Sequence, residues 1–255
     1  MQISVRGHGP ALVMLHGWAM HGGVFEPLCA QLEASFTLHV VDLPGHGSSA
    51  HSAIPLTLDA VAREVAARTP PAIWLGWSLG GLVALHAAQS LPASVHGLAM
   101  LCASPRFVRY EAWPHGMDAI VLTGFANNLA RDYRATIDRF LLLEAQGSDH
   151  VRDDLRVLRE QVFAVASPNP KRLVEGLGLL QESDLRAGLP TLAMPSLWLA
   201  GRRDRLVWPA AMRAAADLAP NSRFVPFEHS GHAPFLSHAP DVASALLEFS
   251  ATLYT

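Results

Sequence analysis

Ala72-Ile73-Trp74-Leu75-Gly76-Trp77-Ser78-Leu79-Gly80-Gly81 runs from an apolar stretch through G-x-S-x-G into the Ala- and Leu-rich segment 79–90. An apolar run of that length ending at glycine reads as a buried strand, and the segment after it as a helix. Between the two, the chain has to double back sharply at Ser78. A serine on such a strand-to-helix turn is held out over the end of the sheet, where a nucleophile has to stand. Gly76 and Gly80 lack the side chains that would collide as the backbone folds back. The helix opening at Leu79 also aims free N–H groups and its positive dipole end at charge developing near Ser78.

Outward from this turn, short apolar runs alternate with longer amphipathic ones, the pattern of an α/β fold with a mostly parallel central sheet and helices on both faces. Strands are predicted at 11–15, 38–42, 72–76, 97–102, 196–201 and 223–226, and helices at 24–32, 56–68, 79–90, 210–218 and 241–253. The alternation stops between residues 106 and 188. That stretch shows helical patterns at 120–145, 150–166 and 171–181, broken by Gly147-Ser148 and by Ser167-Pro168-Asn169-Pro170. The expected organisation is therefore a core of residues 1–105 and 189–255 with a helical cap inserted at 106–188. Half of the 255 residues are apolar and 16% are charged, which suits a packed globular enzyme. A net charge of -3 gives no global pull toward nucleic acid or a membrane surface. The two cysteines, Cys29 and Cys102, are too few for a disulfide framework and read as buried core residues. With no signal-peptide pattern and no run of eighteen apolar residues, a soluble cytoplasmic protein is expected.

A serine hydroxyl attacks only when a base takes its proton, and an acid must orient that base; in chain order the acid and then the histidine follow the serine. Asp204 follows the strand 196–201 directly, whereas Asp184 and Asp217 lie in or beside helical segments. Among thirteen histidines, His229 and His232 follow the last strand. Gly231 allows the loop to bend the His232 imidazole back toward Ser78, which favours His232. Oxyanion donors are expected from the backbone N–H of Leu79 and of Trp18, the latter in the loop His16-Gly17-Trp18 after strand 11–15. No cluster of His, Cys and carboxylates stands at metal-ligand spacing, and no phosphate-binding glycine loop follows the first strand, so neither metal nor cofactor is expected. Asp42-Leu43-Pro44-Gly45-His46-Gly47-Ser48 reads as a tight turn beside the site.

Taken together, His16-Gly17-Trp18, the Asp42 to Ser48 turn, Gly76-Trp77-Ser78-Leu79-Gly80-Gly81, Asp204 and Gly231-His232-Ala233-Pro234-Phe235 resemble the α/β-hydrolase fold across nearly the whole chain. Within it the chain is similar to the biotin-pathway carboxylesterases. That resemblance implies hydrolysis of the methyl ester of pimeloyl-acyl-carrier-protein through a Ser-His-Asp triad and an acyl-enzyme. It also implies that cap arginines hold the acidic carrier protein. Candidates for that surface are Arg134, Arg139, Arg152, Arg156 and Arg159. The last three stand at i, i+4 and i+7 and form one stripe, while Arg134 and Arg139 are five apart and do not share a face fully. Interleaved acids, Asp149, Asp153, Asp154 and Glu160, leave ordinary surface pairing as the other reading of the stripe. Trp18, Trp77, Phe125, Phe140 and Leu143 either line an acyl-binding tunnel or form the cap's own core. Rival activities on this scaffold are a short-chain carboxylesterase acting on small-molecule esters, a thioesterase, a carbon–carbon bond hydrolase or lyase, and a receptor-like ligand-binding protein. No nucleic-acid or membrane partner is expected.

Overall fold

Strands β1 (Gln2–Gly7), β2 (Ala11–Leu15), β3 (Thr37–Asp42), β4 (Ala72–Trp77), β5 (Val95–Leu101), β6 (Ser196–Gly201) and β7 (Ser222–Phe227) build a seven-stranded sheet in the order β1-β3-β2-β4-β5-β6-β7. The computed structural model describes residues 1–129 and 131–253. Ala130, which falls in the expected segment 120–145, and Tyr254 and Thr255, at the end of the core half 189–255, lie outside the described residues.

All pairings along the sheet are parallel except β1 with β3. The inner strands β4 and β6 are buried at every position, as a sheet covered on both faces requires. Strand β1 is the one the apolar pattern did not flag. Its residues, Gln2-Ile3-Ser4-Val5-Arg6-Gly7, are mostly exposed, so an edge position replaces the apolar run by backbone pairing with β3.

Helices α1 (Glu26–Leu32), α2 (Leu58–Arg68) and α3 (Leu79–Ser90) follow β2, β3 and β4, while α4 (Ala119–Leu129), α5 (Tyr133–Ala145), α6 (Val151–Val162) and α7 (Pro170–Glu182) all lie between β5 and β6. After β6 come α8 (Pro209–Leu218), α9 (Pro234–Ser237) and α10 (Ala239–Ala251). Two expected segments divide. Residues 24–32 become a 3₁₀ turn at Gly22–Phe25 followed by α1, opened by Pro27. Residues 120–145 become α4 and α5, because the Asp132 side chain accepts the Ala135 N–H at 3.0 Å and starts a new helix there. Asn169 caps α7 in the same way, with Pro170 at the first helical position. No helix among the described residues is long and apolar enough to cross a membrane.

The α4–α7 stretch is seated on the sheet by bonds to the strand-end loops. The Trp18 indole donates to the Leu173 carbonyl of α7 at 2.8 Å, and His21 Nε2 donates to the Gln161 carbonyl of α6 at 2.7 Å. The Asn169 N–H donates to Gly45 and the Asp149 N–H to His229. These bonds hold the α4–α7 stretch over the carboxyl ends of the parallel strands, where ligands of open α/β sheets bind.

Candidate active site

Ser78 sits between β4 and α3 with φ 53 and ψ -118, a left-handed backbone that a residue with a Cβ adopts only under constraint. The constraint is close packing. A Cβ on Gly76 would collide with the Gly80 carbonyl oxygen, and one on Gly80 with the carbonyl oxygen of Leu15 at the end of β2. The first turn of α3 therefore rests directly on the sheet backbone, and Ser78 is raised at its rim. Gly17 lies against Ser78: a Cβ there would stand 3.2 Å from that of the serine. His16 fixes this loop. Its Nε2 accepts the Leu43 N–H at 2.9 Å, so its Nδ1 carries the hydrogen and donates to the Gly17 carbonyl at 2.8 Å. Burial and the neighbouring His46 hold the His16 imidazole well below the usual histidine range, so it is neutral.

His232 Nδ1 lies 2.7 Å from Asp204 Oδ2, with both side chains wholly buried. The other Asp204 oxygen accepts the N–H groups of Leu206 at 2.8 Å and Val207 at 3.0 Å. With the Nδ1 hydrogen directed at Oδ2, the imidazole lone pair is left on Nε2. Nε2 is buried and has no hydrogen-bond partner among the described residues, Ser78 included. Catalytic hydrogen bonds of this kind commonly tighten only when substrate is bound. His229, the competing histidine, is exposed and pairs with Asp149 at 3.0 Å. Asp184 bonds Arg106 and Arg186, and Asp217 lies on α8.

Three features of this arrangement go beyond the reading of the sequence. Trp77 does not open onto a tunnel: its indole donates to the His232 carbonyl at 2.8 Å, and its ring packs on Phe25, Phe235 and His232 behind the site. Cys102, in the left-handed region at φ 44, places its Sγ beside Asp204 and His232, with the three ligand-type atoms within 4.8 Å of one another. Thiol, carboxylate and imidazole at such spacing are the donor set of a small metal site. Here the carboxylate and the imidazole are committed to each other, and burial with the Asp204 charge pushes the thiol well up toward its neutral form. The third feature is the turn between α5 and α6, which presses on the loops that carry Asp204 and His232. The His232 N–H donates to the Glu144 carbonyl at 3.3 Å. A Cβ on Gly231 would meet the Gln146 carbonyl oxygen, and one on Gly147 (φ +90) would meet that of Arg203. Asp149 pairs with Arg203 and His229. Only the Gly147-Ser148 turn signal hinted at this in the sequence, and it said nothing of what the turn touches.

Among the described residues, neither the Trp18 nor the Leu79 amide donates to a protein acceptor, and Leu79 is the first residue of α3, where N–H groups have no helical partner. The Trp18 indole is buried, with its ring 4.7 Å from that of Phe140, which in turn lies 5.4 Å from Phe125. Beyond them a mostly apolar groove of about 480 Å³ runs between α4 and α5, lined by Phe125, Leu143, Ile120, Leu142 and Arg139 among others. The cap arginines separate by environment. Arg152, Arg156 and Arg159 share the exposed face of α6. Arg156 pairs with Glu160 at 3.0 Å, and Arg159 reaches across to Asp138 of α5 at 2.6 Å. The Arg134 guanidinium stacks over Phe163 at 4.6 Å. Among the described residues Arg139 and Arg152 have no ion-pair partner.

Comparison with known proteins places this geometry. The family model described as "alpha/beta hydrolase fold" matches residues 10–239. The chain belongs to the α/β-hydrolase fold family. Over 253 residues it is 55% identical to the pimeloyl-[acyl-carrier protein] methyl ester esterase of Stenotrophomonas maltophilia (strain K279a), covering 99% of this chain and 97% of that one. It is 55% identical to the protein of the same name from Xanthomonas oryzae pv. oryzae (strain MAFF 311018), covering 99% and 100%. Among solved structures, an esterase from Exiguobacterium antarcticum superposes with a TM-score of 0.87 over 97% of this chain and 94% of that one, at 22% identity, which shows the shared fold. The esterase RhEst1 from Rhodococcus sp. ECU1013 superposes with a TM-score of 0.80 at 26% identity, over 98% and 94%.

Proposed function

We propose that this α/β-hydrolase is a serine carboxylesterase that cleaves the methyl ester of a pimeloyl chain carried on acyl carrier protein, releasing methanol and the carrier-bound acid in the cytoplasm. The observation that carries this reading is full-length likeness, at 55% identity, to esterases named for that substrate. The site supplies chemistry that fits it. His232 Nε2 takes the Ser78 proton as the hydroxyl oxygen bonds to the ester carbonyl carbon, and the Trp18 and Leu79 amides receive the negative oxygen. The tetrahedral intermediate collapses, the carbon–oxygen bond to the methoxy group breaks, and His232 returns the proton to methanol. Water repeats the cycle on the acyl-enzyme and frees Ser78. Asp204 keeps the imidazole in the one tautomer that leaves Nε2 basic and stabilises the imidazolium.

The substrate is long, linear and apolar between two polar ends. Phe140 packs on Trp18 and Phe125 on Phe140, and Phe125 and Leu143 line the apolar groove between α4 and α5, which is the surface an acyl chain would follow if these rings part. Arg139, Arg152 and Arg156 are exposed cations of α5 and α6 offered to an acidic carrier, Arg156 being paired only with Glu160 one turn along its own helix; Arg159 is tied across to Asp138 by two bonds and Arg134 stacks on Phe163, so both contribute less. Exposed charges act mainly on encounter and are screened by salt.

The deciding experiment compares carrier-bound pimeloyl methyl ester with a short p-nitrophenyl ester, for the intact protein and for the triple variant Arg139→Ala, Arg152→Ala, Arg156→Ala. The expected result is a loss in kcat/KM of about tenfold or more on the carrier-bound ester alone, largest at low ionic strength. Turnover of the short ester with none of the carrier-bound one would overturn the substrate assignment and leave an esterase of small molecules.

A further inference from the structure

Behind the triad lies a carboxyl group that ester hydrolysis does not use. Glu144 is in the last turn of α5, four residues after Phe140 and seven after Ile137, on the buried face of the helix. It is fully buried, and neither carboxyl oxygen has a hydrogen-bond partner among the described residues. Its own carbonyl receives the His232 N–H. The charge that acts on its carboxyl group is that of Asp204. On the other sides of Asp204 stand His232 and the Cys102 thiol.

Among the described residues no cation answers Glu144. On α5, Asp138 is turned to Arg159, and Arg139 lines the outer groove. Past the helix, Asp149, Arg203 and His229 pair with one another at the surface, and on α6 Asp154 meets Ser237. An ionised carboxylate without a donor, placed beside a second negative charge, is strongly disfavoured. Burial and Asp204 both push this acid well above the ordinary carboxylate range.

We propose that Glu144 is a positioning residue for His232: in its neutral form it lets α5 press its carbonyl onto the histidine amide, and loss of its proton to solvent withdraws that support. The inference rests on the Ser-His-Asp reading of the site. Ionisation would bring a second charge behind Asp204, and the helix turn has to move or admit water to accommodate it. Because the same residue holds the histidine backbone, the base moves with it.

The test is Glu144→Gln, which keeps the shape and removes the titrating proton, with Glu144→Met as a second neutral variant should the first not fold. In the native protein, the folded state keeps a proton that the unfolded chain releases above the usual carboxylate range, so stability falls as pH rises. The melting temperature of the Gln variant is therefore expected to exceed that of the native protein by a margin that widens from about pH 5 upward. On a short ester, native kcat should fall on the alkaline side by up to about tenfold per pH unit with KM little changed, while the Gln variant holds its rate. Melting curves that run parallel with pH, or alkaline limbs that superimpose, would overturn the proposal. Labelling of Ser78 with a fluorophosphonate is scored separately: failure there sinks the triad reading, while the melting comparison still reports on Glu144.

Discussion

Ser78, the proposed nucleophile, shows what such a position costs the chain that carries it. Its φ of 53 is held by the glycine contacts beneath it, and strain of this kind amounts to about 1–3 kcal/mol for a residue bearing a Cβ. Ser78→Ala should remove the nucleophile, lowering kcat by roughly 10⁴-fold or more, and leave the strain in place. Ser78→Gly should be equally inactive yet gain about 1 kcal/mol of stability, because glycine accepts this backbone freely. Urea denaturation of the three proteins separates strain from chemistry, and a Gly variant no more stable than the Ala variant would mean that the turn is relaxed. The elbow is legible in sequence because its demands are local: a strand, two glycines and a helix all lie within a few residues. Glu144 is not, since its meaning depends on Asp204, sixty residues away in the chain.

Elements with their own apolar period are readable for the same reason. Strands at 11–15 and 196–201 and the helix at 79–90 stand where the pattern puts them, since each buries a continuous run. Where a partner supplies the stability, the pattern is silent, as with the exposed edge strand β1, or it runs together, as with α4 and α5 joined across Asp132. The α5–α6 turn belongs to the silent class. Gly147 has φ +90 and lies on the Arg203 carbonyl, next to Asp204, while Gln146 lies on Gly231, next to His232. Replacing Gly147 by Ala adds both a disfavoured backbone and a steric overlap, and should destabilise the protein by at least about 1 kcal/mol. If the turn does fix the two loops, kcat should fall by more than KM rises, because the displaced groups are His232 and Asp204, the proposed base and its acid, and not the residues proposed to hold the acyl chain. A variant with native stability and native kcat would show that the cap and the catalytic loops are independent.

At the scale of the whole molecule, the core and the cap meet along a seam of buried imidazoles. His16 ties the Gly17-Trp18 loop to Leu43, and His46, 5.3 Å from it, donates from Nδ1 to the Pro44 carbonyl in the turn whose Gly45 carbonyl receives the Asn169 N–H at the start of α7. Burial holds His46 down to about 4 and His16 well below its usual range. The sign follows from proton binding. Below about pH 6.5 the unfolded chain takes up protons on these histidines while the folded protein refuses them, so stability is complete above that value and lost as pH falls. For His46 the loss approaches about 3 kcal/mol by pH 4, at roughly 1.4 kcal/mol per unit. Glu144 and Asp154, whose acid forms are favoured by burial, act in the opposite sense over part of the same range. The net curve is therefore a difference, and a single variant has to isolate one contribution. His46→Asn retains a donor near the Nδ1 position and cannot take up the proton. Its unfolding free energy should fall less steeply than that of the native protein between pH 6.5 and 4, whatever its offset at neutral pH. Identical slopes in urea titrations would place the acid sensitivity elsewhere. A flatter slope would mean that the seam holding the cap over Ser78 is also where the fold is weakest to acid.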